Sequence, residues 1–337
     1  MRRPHGSAVH ADFAVVTAPV TRPGPGQVLV RTLAFSVDPY MRGRLNDAPS
    51  YTPPFALGEP MSGGAIGEVL DPGDSGLAVG AVVEHGLGWR EVALVDAAAV
   101  RPVDPAGLPL TASLGVLGMT GLTAWVGLVD VAAMRTGDTV FVSGAAGAVG
   151  SVVGQLARAR GAARVIGSAG GPEKMRHLVE DLGYDAALDH RAGDLTGQLA
   201  AAAPGGIDVY FDNVGGDHLR AAIAGANQHA RMALCGSISS YDADAPTPGP
   251  DNLSLIVGKR LRLEGFIVSD SVDRRPEFRT EVSQLVADGR IVARETVSRG
   301  IDSAVEAFLG LFAGANTGKA VVVLADTSRS GVPVTAG

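Results

Sequence analysis

Short apolar runs between turns dominate the first third of the chain. An apolar run over 27–35 follows a Pro/Gly turn at 22–26, and further short strands are predicted between glycines within 63–70 and 79–95. These runs lack the 3.6-residue period of a helix. The pattern predicts a small barrel-like β domain over residues 1–117.

A second pattern, in which apolar strands alternate with helical stretches, begins near Leu110. Six strands that alternate with helices predict a parallel, doubly wound α/β sheet over residues 118–296. A helix over 301–312 and a strand over 318–325 then return to the first pattern, so residues 297–337 are expected to rejoin the N-terminal domain. The predicted strands cover 139–143, 163–169, 186–190, 207–213, 231–235 and 262–268, and the predicted helices cover 113–128, 151–160, 173–182 and 276–288.

The first unit of the predicted sheet, residues 139–160, is a strand, a glycine turn and a helix in succession. Gly147 and Gly150 stand three apart, as the last two glycines of a dinucleotide fingerprint do, although Ala145 replaces the first glycine. The N–H groups at the start of the helix would attract a pyrophosphate. The segment predicts a dinucleotide site, and the alternative is a tight turn of an ordinary doubly wound sheet.

The strand that follows the fingerprint ends without an acidic residue. An NAD site has Asp or Glu about 20 residues beyond the fingerprint, where it binds a ribose hydroxyl. Here Gly170 and Gly171 end the strand and Lys174 follows, with Arg176 and Arg191 as further cations. This favours the 2′-phosphate of NADP(H), and the alternative is that Lys174 is a solvated helix residue.

Composition excludes several classes of protein. The chain is 46% hydrophobic and 19% charged, which is typical of a soluble globular protein with ample core material. Its net charge of −7, without a basic cluster, argues against nucleic acid and membranes as partners. We find no signal peptide and no apolar segment long enough to span a bilayer. The single cysteine, Cys235, excludes an intramolecular disulfide, so a cytoplasmic location is expected.

A metal site is not predicted. None of the seven histidines pairs at ligand spacing, and no cysteine joins them. Hydride transfer without zinc requires an acceptor that is already electrophilic, such as a carbon–carbon double bond conjugated to a carbonyl. The negative charge then develops on the carbonyl oxygen as an enolate, which one or two hydroxyl donors can stabilise.

Tyr241 is the candidate hydroxyl donor. It follows the strand 231–235 and a serine-rich turn, at the carboxyl edge where open α/β sheets bind ligands. By position it could equally be a loop tyrosine without a role. Cys235, at the same strand end, is interpreted as a buried thiol, because no histidine is close to it in sequence. In the β domain, Tyr40 and Tyr51 lie in Pro-rich loops that either line a binding mouth or plug the barrel.

Five segments occur together in one order: 36–44, 117–124, 144–150, 211–216 and 235–241. Together they resemble the zinc-independent medium-chain dehydrogenase/reductases, in particular the prostaglandin reductase and plant alkenal double-bond reductase group. The resemblance implies a GroES-like β-barrel catalytic domain, closed by the C-terminal segment, with an inserted Rossmann domain, usually as a homodimer. It implies NADPH-dependent reduction of small α,β-unsaturated aldehydes and ketones.

The resemblance also implies roles for individual residues. Tyr241 matches a tyrosine that helps to bind or polarise the substrate carbonyl, and Tyr40 and Tyr51 would line the substrate pocket with residues 242–252. Those implied to hold the cofactor are Met119 and Thr120 near the nicotinamide, Gly147, Ala148, Val149 and Gly150 at the pyrophosphate, Lys174 and His190 at the 2′-phosphate, and Asn213, Cys235, Gly236, Ser237, Ile238, Ser239, Tyr241, Phe266, Ile267, Val268 and Asn316 elsewhere.

Two features depart from the family. A tyrosine usually stands at the position of His190, and a protonated histidine there would bind the phosphate more strongly, which predicts an NADPH Kd that rises from mildly acidic to alkaline pH. Family members also begin with an extra strand before residues 10–13, which predicts a different start or a trimmed barrel edge.

Three hypotheses about function remain. The leading one is an enone and enal reductase that delivers hydride to the β-carbon, with Tyr241 and a cofactor ribose hydroxyl steadying the enolate and solvent protonating the α-carbon. The second is quinone reduction along the same hydride path. The third is an NADPH-binding protein without catalytic activity.

Overall fold

The computed structural model describes residues 2–103, 107–243 and 247–324. The last residue of the predicted strand 318–325 and part of the predicted pocket segment 242–252 lie outside this range. No helix within it is both long and apolar enough to cross a membrane.

Thirteen strands and ten α-helices run through the described residues. The strands are β1 (Gln27–Ser36), β2 (Ala65–Asp71), β3 (Val82–His85), β4 (Val92–Asp96), β5 (Arg101–Pro102), β6 (Thr139–Val142), β7 (Arg164–Ala169), β8 (Ala186–Asp189), β9 (Ile207–Asp212), β10 (Ala226–Leu234), β11 (Arg262–Gly265), β12 (Glu295–Arg299) and β13 (Lys319–Val323). The helices are α1 (Met41–Arg44), α2 (Met119–Val126), α3 (Gly150–Ala159), α4 (Pro172–Arg176), α5 (Leu195–Ala202), α6 (Gly216–Gly225), α7 (Ile238–Tyr241), α8 (Ser254–Lys259), α9 (Arg275–Ala287) and α10 (Ala304–Ala313).

The chain divides into two compact units. The first holds the described residues up to Gly118 and from Glu295 onward, and the second is Met119–Arg294. In the first unit a seven-stranded sheet follows the order β12-β13-β1-β2-β3-β5, with β4 also paired to β1. β13 runs antiparallel to β1, with Phe35 opposite Val322, so chain from both ends of the sequence shares one sheet. Its core contains Phe35, Met41, Phe55, Phe308 and Val322.

The second unit contains six parallel strands in the order β11-β10-β9-β6-β7-β8. β6, the first of these six strands along the chain, is central, and the chain adds β7 and β8 on one side and β9 to β11 on the other. This arrangement confirms the predicted doubly wound sheet. The apolar side chains of β6 and β9 are buried, as expected for strands with both faces covered.

Two predicted helices differ from the structure. The helix predicted over 113–128 is interrupted, because a 3₁₀ turn at Leu110–Leu114 ends at Gly115 and α2 begins only at Met119. At Gly118 a Cβ atom would lie 2.0 Å from the carbonyl oxygen of Ser113, so the chain returns on itself too closely for one helix.

The second difference lies in the helix predicted over 173–182, where Met175, Leu178, Val179 and Leu182 were expected on one buried face. Leu178 and Leu182 are buried, but Val179 is 44% exposed. The helix α4 ends at Arg176 and continues as a π turn over His177–Asp181. The wider π turn changes the angular spacing of the side chains, and this rotates Val179 out of the buried face.

A close contact between α3 and Tyr184 fixes the glycine turn against the sheet. The Tyr184 hydroxyl donates a hydrogen bond of 2.7 Å to the carbonyl of Gly150. A Cβ at Gly154 would lie 2.0 Å from the ring of this fully buried tyrosine, and one at Gly150 would lie 2.5 Å from the carbonyl oxygen of Gly144. The two glycines therefore allow the helix to approach both the tyrosine and the turn.

His218 and Ser168 form a buried polar pair in the same unit. The Nε2 atom of His218, in the first turn of α6, lies 2.8 Å from the hydroxyl of Ser168 near the end of β7. Burial, with a smaller contribution from His190, lowers the pKa of His218 to about 4. His218 is therefore neutral in the native protein across the physiological range.

We expect Gly154→Ala to lower the free energy of unfolding by about 2 to 3 kcal/mol, because the added methyl group must displace a buried ring. Urea unfolding of the purified proteins measures this change. The control is Gly258→Ala in α8, where a Cβ meets nothing within 4 Å and the substitution should be neutral or slightly stabilising. A Gly154→Ala protein as stable as the wild type would contradict the close contact.

We expect stability to fall as the pH is lowered from 6.5 towards 4, because unfolded His218 binds a proton in this range and the native residue does not. The loss attributable to His218 is up to about 3 kcal/mol. Unfolding free energies measured at steps across this range should show a shallower slope for His218→Gln than for the wild type. Burial also lowers the pKa of His85 to about 4, and this histidine contributes equally to the pH slope of both proteins. Equal slopes would mean that His218 does not exclude the proton. The exposed His229→Asn is the control.

Candidate nucleotide-binding site

The parallel sheet of the second unit brings the ends of its six strands to one edge. The glycine turn follows β6, Gly170 and Gly171 follow β7, and His190 follows β8. Because all strands run in the same direction, their carboxyl ends share this edge. Asn213, Cys235 and Phe266 follow β9, β10 and β11 in the same way.

The buried carboxylate of Asp212 organises the centre of this edge. Its Oδ1 atom accepts hydrogen bonds from the hydroxyls of Tyr210 (2.7 Å) and Ser143 (3.1 Å) and from the N–H groups of Val214 (2.9 Å) and Gly215 (2.8 Å). The backbone carbonyl of Asp212 also accepts the N–H groups of Cys235 and Gly236, at 2.9 and 3.0 Å. One residue therefore joins the ends of β6, β9 and β10.

Ser143, which donates to Asp212, holds Asn213 in position. The side-chain amide of Asn213 donates to the carbonyl of Ser143 (2.8 Å), and its backbone N–H donates to the Ser143 hydroxyl (2.9 Å). Sequence reasoning missed both Ser143 and Asp212. The available signal was a carboxylate as the last residue of a mostly apolar strand, a position at which an unsatisfied charge would be costly.

Tyr241 lies at the end of α7, close to the end of β10. Its hydroxyl oxygen accepts the N–H of Ser237 at 3.2 Å, so the hydroxyl proton can be donated elsewhere. Burial raises the pKa of Tyr241, which keeps the phenol protonated. Burial also raises the pKa of Cys235 to about 12, so this residue is a thiol and not a thiolate nucleophile.

A cluster of cations lies at the ends of β7 and β8. Asp189 Oδ1 accepts the N–H groups of Gly171 (3.2 Å) and Arg191 (3.0 Å), which lowers its pKa and joins the two strand ends. A Cβ at Gly170 would lie 2.7 Å from Nε of Arg191. Burial and the charge of Arg191 lower the pKa of Lys174. Lys174 and Arg191 therefore face the same small volume.

His190 belongs to this cluster. Its ring lies 5.5 Å from that of His218, measured between centroids, and bonds to the carbonyl of Ala169. Partial burial, with the charges of Arg191 and Lys174, lowers its pKa below 6.5, against the opposing effects of Ala169 and Asp189. His190 is thus predominantly neutral at pH 7 in the free protein. Arg176, the other cation considered from the sequence, is exposed.

The remaining predicted cofactor residues fall in both units. In the second unit, Met119 is 39% exposed and Thr120 is buried at the start of α2. In the first unit, the side chain of Asn316 donates to the carbonyl of Gly318 at 2.9 Å. These observations give their local setting and leave their roles as predictions.

Two of the three predicted substrate tyrosines, Tyr40 and Tyr51, lie in the first unit. Tyr40 precedes α1 and is half-buried, and burial, with a smaller effect of Asp38, raises its pKa. Its hydroxyl bonds to Arg44 and lies within electrostatic range of Tyr51. Tyr51 itself is 61% exposed. The two tyrosines and Arg44 thus form one polar group on this unit.

Two family models match the chain. Residues 1–103 match the model described as N-terminal domain of oxidoreductase, and residues 148–288 match the one described as zinc-binding dehydrogenase. Within the described residues, no group of three His, Cys, Asp or Glu side chains is arranged to hold a metal ion.

Three relatives match over nearly the whole chain. The NADPH-dependent curcumin reductase of Escherichia coli (strain K12) is 42% identical, covering 96% of this chain and 95% of that protein. The 2-alkenal reductase (NADP(+)-dependent) of Nicotiana tabacum is 39% identical, covering 89% and 88%. Prostaglandin reductase 1 of Mus musculus is 37% identical, covering 94% and 95%.

A solved structure agrees with the fold. CurA from Vibrio vulnificus, crystallised in complex with NADPH, is 39% identical and has a TM-score of 0.91, covering 96% of this chain and 98% of that one. This likeness confirms the predicted pairing of a GroES-like domain with a Rossmann domain. On the identity and coverage of these relatives, the chain belongs to the zinc-independent medium-chain dehydrogenase/reductases, in the group of the prostaglandin and alkenal reductases.

Proposed function

We propose that this NADP-dependent oxidoreductase reduces the carbon–carbon double bond of α,β-unsaturated aldehydes and ketones. The observation that carries the proposal is the cation cluster, in which Lys174 and Arg191 lie beside the neutral ring of His190. The protonated phenol of Tyr241 lies at the same carboxyl edge of the sheet. Relatives named as an NADPH-dependent curcumin reductase, an alkenal reductase and a prostaglandin reductase support the reaction class.

The cation cluster suits the 2′-phosphate of NADP(H). An acid that would bind the 2′-hydroxyl of NAD is missing from the end of β7, where Gly170 and Gly171 stand. The nearest carboxylate, Asp189, already accepts two backbone N–H groups. A phosphate dianion would neutralise charges that otherwise repel one another, and the guanidinium of Arg191 can bind it through two parallel hydrogen bonds.

The remaining cofactor contacts follow from the strand ends. The residues Gly147 to Gly150, which lead into α3, are proposed to bind the pyrophosphate at the start of the helix. Asn213 and the segment from Cys235 to Tyr241 would bind the nicotinamide half, together with Phe266, Ile267 and Val268. Met119, Thr120 and Asn316 are proposed contacts on the same ground of family resemblance.

Bound NADPH supplies a hydride, which the β-carbon of the alkene accepts. The electron pair of the double bond then moves towards the carbonyl, and the oxygen becomes an enolate. We assign Tyr241 to donate its hydroxyl proton in a hydrogen bond to this oxygen, since its lone pair is already engaged by Ser237. Water protonates the α-carbon, and Tyr40 and Tyr51 line the substrate's approach.

Two expectations remain predictions: that the protein is a homodimer, which the family resemblance implies, and that it is cytoplasmic, which the single cysteine favours.

The reaction is tested with NADPH deuterated at C4 and a panel of enals and enones. We expect loss of NADPH absorbance and deuterium on the β-carbon of a saturated carbonyl product. Tyr241→Phe should lower kcat roughly tenfold to a hundredfold, since it removes one donor to the enolate, while the Kd for NADPH stays the same. Reduction of quinones alone, or no turnover across the panel with NADPH bound, would overturn the proposal.

The phosphate site is tested by comparing NADPH with NADH. Lys174→Ala should raise the Kd for NADPH roughly tenfold or more at fixed ionic strength and leave the Kd for NADH unchanged, because only NADPH carries the 2′-phosphate. The control is Arg176→Ala, which removes an exposed cation two residues away and should have little effect.

The pH dependence of the same measurement isolates His190. Phosphate favours the protonated imidazole, so the ratio of the NADPH Kd to the NADH Kd should rise as the pH increases from 6 to 8. In His190→Gln the ratio should change less with pH. If Lys174→Ala raises the Kd for NADPH and the Kd for NADH by the same factor, this cluster does not bind the phosphate.

A further inference from the structure

A loop over residues 45–55, which we term the tyrosine loop, carries Tyr51 away from the core of the first unit. Leu45 and Phe55, at its two ends, are buried, whereas Tyr51 is 61% exposed. The residues from Asn46 to Ser50 are exposed as well. The loop therefore has a fixed base and an exposed tip, the form of a compact Ω-loop.

Arg44 closes one side of the base. The N–H of Phe55 donates to the carbonyl of Arg44 at 2.8 Å, and Nε of Arg44 donates to the carbonyl of Pro53 at 2.9 Å. The guanidinium carbon of Arg44 lies 3.9 Å from the centre of the Phe55 ring. The same side chain also bonds to Tyr40, so the loop base and the second predicted substrate tyrosine share one cation.

Arg3, far away in sequence, closes the other side. Its Nη1 atom donates to the carbonyl of Leu45 (3.2 Å) and to the carbonyl of Phe55 (2.9 Å). These two carbonyls mark the beginning and the end of the tyrosine loop. A single charged nitrogen thus joins the loop ends, and charge-assisted hydrogen bonds are stronger than neutral ones.

The N-terminal segment that carries Arg3 is itself anchored. Ala8 is buried in the same core cluster as Leu45 and Phe55, and the ring of Phe13 packs edge-on against Phe308 with centroids 6.0 Å apart. Arg42, next to the loop, donates to the carbonyl of Gly6. Arg3 is therefore presented to the loop by a segment whose anchors, Gly6, Ala8 and Phe13, follow it in the chain.

We propose that Arg3 is a positioning residue: it holds the ends of the tyrosine loop together and thereby fixes Tyr51 for binding of the unsaturated carbonyl substrate. The substrate part of this inference rests on the proposed function. Without Arg3, two carbonyl groups at the loop base lose their donor and the loop opens more often. Opening weakens substrate binding and leaves the cofactor site in the second unit unaltered.

The experiment compares Arg3→Ala, Arg3→Lys and the control Arg2→Ala in the full-length protein. Arg2 is 67% exposed at its side chain and pairs with Asp12 within the N-terminal segment, so its loss does not touch the loop. The first readout is hydrogen–deuterium exchange of peptides covering residues 45–55. The second is the split between KM and kcat for an enal, with the Kd for NADPH measured alongside.

We expect Arg3→Ala to speed exchange at the loop base, including the amide of Phe55, about tenfold, and to raise KM by a similar factor with kcat and the NADPH Kd nearly unchanged. Arg3→Lys, which retains a charged donor, should lie between the wild type and Arg3→Ala, and Arg2→Ala should behave as the wild type. Unchanged exchange in Arg3→Ala would overturn the inference. Faster exchange with unchanged KM would overturn its substrate part.

The two proposals fail in distinguishable ways. If the wild type turns over no enal or enone, the proposed function fails, and the exchange measurement still decides whether Arg3 holds the loop. If the wild type is active and Arg3→Ala equals it in both readouts, the proposed function stands and the role of Arg3 is refuted.

Discussion

A single buried carboxylate, that of Asp212, arranges the edge of the sheet on which the rest of the site is built. Four donors converge on one of its oxygens, two from side chains and two from the backbone of the turn into α6. The turn lies just before a helix N-terminus, where negative charge is favoured. These interactions offset the cost of burying the charge. They also fix Asn213, and through the backbone carbonyl of Asp212 they fix the chain at Cys235 and Gly236.

The two ends of the cofactor site are built on opposite electrostatic principles. At Asp212 one buried carboxylate oxygen accepts four hydrogen bonds, which hold the strand ends together. At the other end, burial and the charge of Arg191 lower the pKa of Lys174, and burial with the charges of Arg191 and Lys174 lowers the pKa of His190. The repulsion within such a cluster raises its free energy in the absence of an anion, and a bound phosphate would relieve this repulsion. Selectivity for the phosphorylated cofactor then comes as much from the repulsion in the free protein as from contacts in the complex.

The sequence predicts the regular parts of the molecule because their signals are local. Apolar runs and amphipathic stretches identify the six strands of the parallel sheet, and the glycines at 147 and 150 identify the turn. The sequence does not predict the break before Met119, since this depends on how closely the carbonyl of Ser113 approaches Gly118. The outward rotation of Val179 likewise depends on a π turn, for which the apolar pattern contains no signal. Motifs in the sequence suggest the candidate residues Lys174 and Tyr241, whose roles remain proposals. It was not predictable at Ser143 and Asp212, which act on residues about 70 positions apart in the chain.

The proposed cofactor and substrate residues rest on different kinds of support. Most of the proposed cofactor residues follow strand ends of a sheet with a buried core, which holds them in fixed positions. Tyr51 instead lies on an exposed loop whose base is held by a few guanidinium contacts. A loop of this kind can change its sequence without disturbing the sheet beneath it. Divergence in substrate range among related reductases should therefore concentrate in the tyrosine loop and its two arginine partners, while the chemistry of hydride delivery stays the same.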